Sequence, residues 1–218
     1  MAEIISEGPV TKVNVGRLTN AIFVFTLLLL FRNVKTPTFE NFSNTGNTTA
    51  NLYGLTQFPD IFSFLNAFII IAMLWIVMFH IFHQLQKIDR TYLYIHLMTL
   101  MMVIFIPISS HLNVIFPGKS VFPLLFNLNM LIIGLLLFLE WFHISRKPEI
   151  RSPMISTRQM NCTGIKMLYI PITAVFGVVL SAFDLQYTQS VYLITMIAFA
   201  LTTIYFRNRK KSGGSESV

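Results

Sequence analysis

Six long apolar runs, near 15–32, 61–82, 92–109, 122–144, 164–183 and 188–206, alternate with short polar stretches along the 218 residues. A bilayer core of about 30 Å needs roughly 20 mostly apolar residues per helix. The pattern therefore predicts an all-α membrane protein with six transmembrane helices. They form one domain over 1–206, followed by a basic, disordered tail over 207–218. The first run is the shortest, yet no small-residue cleavage site follows it and Arg32 and Lys35 come next, so it reads as a span rather than a cleaved signal.

Polar positions inside that first run carry the most information. The stretch "RLTNAIFVFTLLLLFR", residues 17–32, keeps Thr19, Asn20 and Thr26 among apolar neighbours. On a helical projection centred on Phe23, Leu30, Thr19 and Thr26 fall in that order within about 60° on one side, and Leu27 and Asn20 within about 60° on the other. All three polar residues thus share one face of about 120°. Such a face suits hydrogen bonding between helices. It also carries the bulky Phe23, Leu27 and Leu30, where close packing would favour Gly or Ala. A bulky stripe with occasional hydroxyls suits the wall of a narrow pore, in which apolar rings gate by dewetting and oxygen rings replace part of an ion's water. On this reading Phe23, Thr26, Leu27 and Leu30 line the path, and Leu28 lies on the opposite face. One helix encloses nothing, so copies around a symmetry axis are required.

Composition agrees with the setting: 54% of residues are hydrophobic and 11% charged, with 21 Phe and 11 Met. The charges are strongly one-sided. With the N-terminus inside, all 16 basic residues except Arg32, Lys35 and Lys119 fall on the cytoplasmic side, which predicts that both termini are cytoplasmic. The net charge of +7 is then explained by orientation and contact with anionic membrane lipid, not by nucleic-acid binding. Residues 33–60 form the longest outer segment, read as a flexible polar cap with formal glycosylation acceptors "NFS" and "NTT". Residues 146–161 form a basic, proline-broken inner loop. A single cysteine, Cys162, rules out an internal disulfide.

Catalytic and coupling chemistry is sparse. Glu140 and Asp184 lie near span ends, Asp60 lies at the mouth of the second span, and no lysine falls in mid-membrane. Proton-coupled transport needs a titratable group at depth, so that class loses ground. His80 and His83 stand three apart on the second span, but two histidines without a third ligand make a weak metal signal. No phosphate loop, nucleophile elbow or paired intramembrane carboxylates appear. Neither an enzyme nor a cofactor or metal is expected.

The stretch "FPDIFSFLNAFIIIAMLWIVMFHIFHQLQKIDRTYLYIHLMTLMMVIFIPISSHL", residues 58–112, resembles the second and third helices of the six-helix potassium channels typified by transmembrane protein 175, found in lysosomes and in prokaryotes. The resemblance rests on Trp75 followed seven residues later by Phe82, then Ile88, Asp89 and Leu93, a polar residue at 96, and Pro107. It implies a homotetramer whose first helices line a pathway for K⁺ in preference to Na⁺, in the plasma (inner) membrane of a prokaryote. It also implies a polar network joining the first helix to the next two, carried here by Arg17, Thr19, Asn20, Trp75, His80 and His96. Two registers of the first helix fit. One places Leu18, Thr19 and Asn20 at the family's Phe-Ser-Asp motif, and the other anchors on Thr26 with Phe23 and Leu30 as pore residues. No carbonyl-filter loop is evident, so a Thr26 ring between Phe23 and Leu30 rings is the expected selectivity device. The rival reading is a small-solute or cation transporter, for which Pro107 and Pro171 would mark helix breaks.

Overall fold

The computed structural model describes residues 11–32, 47–116, 119–183 and 190–212. Six helices follow one another: α1 (Lys12–Arg32), α2 (Asn47–Gln84), α3 (Arg90–Ile115), α4 (Val121–Arg146), α5 (Thr157–Ser181) and α6 (Val191–Ser212). Among the described residues the only β pairing is a single bridge between Leu85 and Arg151. Among the described residues five segments are long and apolar enough to cross a membrane: Lys12–Arg32, Ile61–Gln84, Arg90–Asn113, Val121–Arg146 and Gln159–Ser181. Helix α6 contributes the shorter apolar segment Val191–Ile204 and ends in the basic sequence "RNRKKS".

Two boundaries differ from the sequence pattern. Helix α2 starts at Asn47, well before the apolar run, so the second half of the segment read as a flexible cap is helical; residues 33–46 lie outside the described residues. Once the membrane-held turns exist, each added residue gains a hydrogen bond without a new nucleus, and polar sequence then extends the helix outward. For the same reason α6 runs to Ser212, into the stretch read as a tail, while 213–218 lie outside the described residues.

Helices α3, α4 and α5 form the packed centre. Helix α1 lies on one flank against α3 and α2, and α6 on the other against α5 and α2. Hydrogen bonds fix one end of the bundle. Gln86 N donates to Ile150 O at 2.8 Å and Ser152 N to Gln84 O at 2.8 Å, joining the α2–α3 turn to the α4–α5 loop. Lys12 Nζ donates to Leu85 O and brings the start of α1 to the same end. Lys12, Lys87, Arg90, Lys147 and Arg151 therefore gather on one side, as the charge pattern requires. Both prolines sit inside continuous helices, Pro107 in α3 and Pro171 in α5, so neither makes the helix break that a transporter reading needs.

The α4–α5 contact is held close by small residues. A Cβ added at Gly134 would lie 2.8 Å from the Pro171 nitrogen, and one at Gly164 would strike the Trp141 ring. In lipid, apolar surface gains nothing by leaving the tails, so helices associate through close van der Waals approach and hydrogen bonds. Asn127 supplies the latter: its Nδ2 donates to Pro123 O, Gly177 O and Ser181 Oγ, and its Oδ1 accepts from the Tyr192 hydroxyl at 2.9 Å. Because the obstacle at Gly134 is backbone rather than a movable side-chain tip, Gly134→Ala should destabilise the subunit by about 1–3 kcal/mol. Thermal unfolding in mild detergent checks this, and an unchanged midpoint would mean that α4 and α5 separate freely.

Candidate pore helix and its polar network

The inner face of α1 holds Thr19 and Thr26, while Asn20 lies at its edge and is exposed. Val15, Thr19, Phe23, Thr26 and Leu30 are buried against the subunit's own helices, with Thr26 wholly inaccessible. Within one subunit Phe23, Thr26 and Leu30, expected to line the pore, are covered, and Leu27 is half-buried against the core. The hydroxyls explain how this is tolerated. Thr26 Oγ1 donates to Ile22 O and Thr19 Oγ1 to Val15 O, each at 2.8 Å, one turn back on the same helix. A threonine bonded in this way presents a small, nearly apolar surface, and α1 can lie close to its neighbours. The outward face of α1 carries Arg17, Leu18, Asn20, Ala21, Val24, Phe25, Leu28 and Phe31. Only 28% of the α1 span is buried, against 44% of each of the other four, so α1 is the least covered of the five spans.

Two links tie α1 to α2 and α3 near its start. Trp75 Nε1, on α2, donates to Asn20 Oδ1 at 3.0 Å. His96 Nε2, on α3, meets Thr19 Oγ1 at 2.8 Å. The structure thus brings together Thr19, Asn20, Trp75 and His96 from the set named for the supporting network. Arg17 stays exposed on the outer face, and His80 turns away: its Nδ1 contacts Ile76 O at 2.7 Å and its ring meets Phe199 of α6.

Behind His96 lies a residue that the sequence reading left at a span end. Glu140, on α4, is fully buried. Its carboxylate accepts from Thr99 Oγ1 at 2.7 Å and from the Tyr92 hydroxyl at 3.2 Å, and it faces His96 Nδ1 at 3.2 Å. Tyr92, His96 and Thr99 follow the spacing i, i+4, i+7, so α3 turns one continuous stripe toward a single acid. The ring of Tyr92 stacks on His96 at 5.5 Å, and Phe82 meets His96 edge-on at 4.9 Å, which excludes water from the imidazole.

Two proton arrangements meet these distances. In one, neutral His96 donates from Nδ1 to the carboxylate and accepts from Thr19, which leaves a net negative charge inside the bundle. In the other, Thr19 keeps its hydrogen on Val15 O, His96 Nε2 donates to Thr19, and a further proton lies between Nδ1 and Glu140. Either way a single chain of hydrogen bonds runs from α4 through α3 to α1.

At the end of the bundle the same two helices are clamped again. Asp89 caps α3 by accepting from Tyr92 N at 3.0 Å, and it also meets His143 Nε2 at 2.8 Å and Lys147 Nζ at 2.8 Å. Burial alone would raise its carboxyl, but the Lys147 ammonium, the Tyr92 amide and His143 outweigh this and hold it below the ordinary carboxylate range. The stabilisation from this cap is therefore present above the unfolded-state value and disappears as pH falls through the lowered one. Among the described residues no group of three His, Cys, Asp or Glu side chains is placed to hold a metal ion, His80 and His83 included.

Comparison with known proteins agrees with this architecture. Residues 14–107 match the family model described as endosomal/lysosomal potassium channel TMEM175. The resemblance drawn from the second and third spans thus holds over a segment that runs from α1 to Pro107, a little under half of the chain. A solved structure titled as that of a lysosomal potassium-selective channel TMEM175 homolog from Chamaesiphon Minutus is similar at a TM-score of 0.64 and 21% identity. The alignment covers 91% of this chain and 97% of that one, so the fold is that of the channel. No curated protein matches. Glu140 lies beyond the matched segment.

The Glu140 cluster sets its own test. Removing His96 alone, as His96→Leu, leaves a buried carboxylate without its main partner and should cost about 3–5 kcal/mol. The double variant His96→Leu/Glu140→Leu should recover more than half of that loss, because both desolvated groups leave together. Unfolding midpoints of the wild type, His96→Leu, Glu140→Leu and the double variant in one detergent measure the coupling. Additive losses would mean that the two side chains do not share a proton or a bond.

Proposed function

We propose that the chain is the subunit of a potassium-selective channel, assembled as a homotetramer with four copies of α1 around a central pathway. The observation that carries this is the largely uncovered outer face of α1 on a helix that Thr19 and Asn20 pin to α3 and α2. The likeness to the potassium-channel family over 14–107 supports the same reading. Both termini are placed in the cytoplasm, following the gathering of positive charge at one end of the bundle. The membrane is proposed to be the plasma (inner) membrane of a prokaryote.

The pathway is assigned to the outward face rather than to the threonine stripe. Asn14, Ala21 and Leu28 recur every seven residues, and the drift of about 20° per heptad keeps them nearly in line along the helix. Ala21, small and exposed, allows neighbouring helices to approach at one end. Leu28, flanked by Val24, Phe25 and Phe31, supplies the bulk at the other. Four Leu28 side chains around an axis form an apolar neck that conducts when wetted. An apolar ring strips water without replacing it, and K⁺ gives up its weaker hydration shell at lower cost than Na⁺, which favours K⁺. Thr26 then has no contact with ions, and its hydroxyl serves packing.

Two measurements test the reading. Purified protein in mild detergent should have the mass of four chains by light scattering, and a monodisperse monomer that still conducts would overturn it. In vesicles under a K⁺ gradient, Leu28→Ala should raise basal flux several-fold by widening the neck, while Thr26→Ala leaves the bi-ionic K⁺/Na⁺ reversal potential unchanged. A shift with Thr26→Ala and none with Leu28→Ala would return the pathway to the inner face. Flux that saturates with K⁺ as a carrier's does would favour a transporter.

A further inference from the structure

One lysine lies inside the bundle without a carboxylate partner among the described residues. Lys166, on α5, is only 6% exposed. Its ammonium donates to Thr203 Oγ1 at 2.8 Å and sits 4.8 Å from the centre of the Phe199 ring. Among the described residues no carboxylate forms an ion pair with it: the ion pairs belong to Glu140 and Asp89. An ionisable group held in a membrane segment without a partner of opposite sign is costly, and such groups mark sites. The hydroxyl and the ring face leave at least one N–H of the ammonium unspent.

That ammonium borders a cavity of about 710 Å³ between the end of α2 and the start of α5. Its walls include His80 and His83 from α2, with Gln84, Thr163 and Lys166 deeper in and Met154 of the α4–α5 loop also lining it. Gln84 is buried; its Nε2 donates to Thr163 and its Oε1 has no partner. Phe79, which also lines the cavity, and Met154 are strongly exposed, at 60% and 91%. Lys166 stands seven residues into the Gln159–Ser181 span, a rise of about 10 Å, while Gln84 closes the α2 span. The cavity thus reaches from the basic end of the bundle to the depth at which headgroups meet acyl chains.

We propose that this cavity binds the phosphate of an anionic lipid headgroup, with Lys166 as its charge partner. Cationic pockets between membrane helices at the positive side take anionic headgroups. Each wall has a matching part of such a molecule. The phosphate oxygens accept from Lys166 and from a ring N–H of His83, a headgroup hydroxyl donates to Gln84 once its carboxamide turns, and the acyl chains lie against Phe79 and Met154. His80 spends Nδ1 on the Ile76 carbonyl and contributes its other nitrogen only when protonated. The exposed apolar rim favours a lipid over free phosphate, which has nothing to place there.

The test uses the full chain in a zwitterionic detergent, with its melting temperature followed as dioctanoyl phosphatidylglycerol, dioctanoyl phosphatidylcholine or inorganic phosphate is added. Binding to the folded state raises the midpoint with concentration and yields an apparent affinity. Phosphatidylglycerol should raise it saturably and phosphatidylcholine should not. Lys166→Met should weaken phosphatidylglycerol roughly tenfold or more, Lys166→Arg should retain most of the affinity, and the exposed Lys87→Met should change it less than about twofold. Met154→Trp narrows the mouth from an exposed loop, leaves Lys166 in place, and should also weaken binding, which keeps the test open if Lys166→Met does not fold. Equal shifts with the two lipids, or wild-type affinity in Met154→Trp together with Lys166→Met, would overturn the proposal. So would a shift produced in full by inorganic phosphate at the lipid's concentration, which would indicate an anion site without a lipid. None of these readouts involves conduction, so a failure here is separate from a failure of the channel reading.

Discussion

A carboxylate inside a membrane bundle must draw every partner from the protein, and Glu140 imposes that constraint here. Its donors come from three positions on one stripe of α3, and the histidine among them continues to Thr19 of α1. Helix α3 therefore has one rotation relative to α4 that satisfies the acid, and α1 has one depth relative to α3 that satisfies the histidine. Asp89, a turn or so beyond, repeats the α3–α4 clamp with His143 and Lys147. A slip of α3 by one residue would unmake both clamps together, so the pair sets register more sharply than apolar contact does.

Elsewhere the bundle relies on shape. Between α4 and α5 the glycines at 134, 164 and 177 admit Pro171, Trp141 and Asn127 to within close contact. Asn127 then closes the α4–α5–α6 corner with bonds to Gly177, Ser181 and Tyr192. The division is physical: polar bonds fix register where α1 and α3 must align, and backbone proximity fixes distance where α4 and α5 must stay together.

Helix α1 is the exception to both. It is held near its start by the bonds of Lys12, Thr19 and Asn20 and along one face by packing, and most of its outer face is exposed in the subunit. A helix anchored on one side and open on the other is compatible with the proposed assembly, in which the open side would face the axis. The inner hydroxyls of Thr19 and Thr26 belong to the anchoring side, because each is bonded to the carbonyl one turn back and offers neighbours a compact surface.

Sequence alone determined the helices and the gathering of positive charge at one end of the bundle, because both depend on quantities summed along the chain: apolar length against bilayer thickness, and positive charge per loop. The family resemblance named His96, Asn20 and Trp75 as parts of a network, and helical period, which is local, placed Thr19 and Thr26 on one face of α1. What that face touches was not local. In a membrane, lipid-facing, pore-lining and helix-packing positions are all apolar with occasional hydroxyls, so the same stripe reads equally well as pore or as interface. Only the placement of α2 and α3 decided that Phe23, Thr26 and Leu30 are covered and that Leu28 is open. Glu140 was overlooked for the same reason. A lone acid near a span end looks like an interfacial residue until Tyr92, His96 and Thr99, more than forty positions earlier, are seen to surround it.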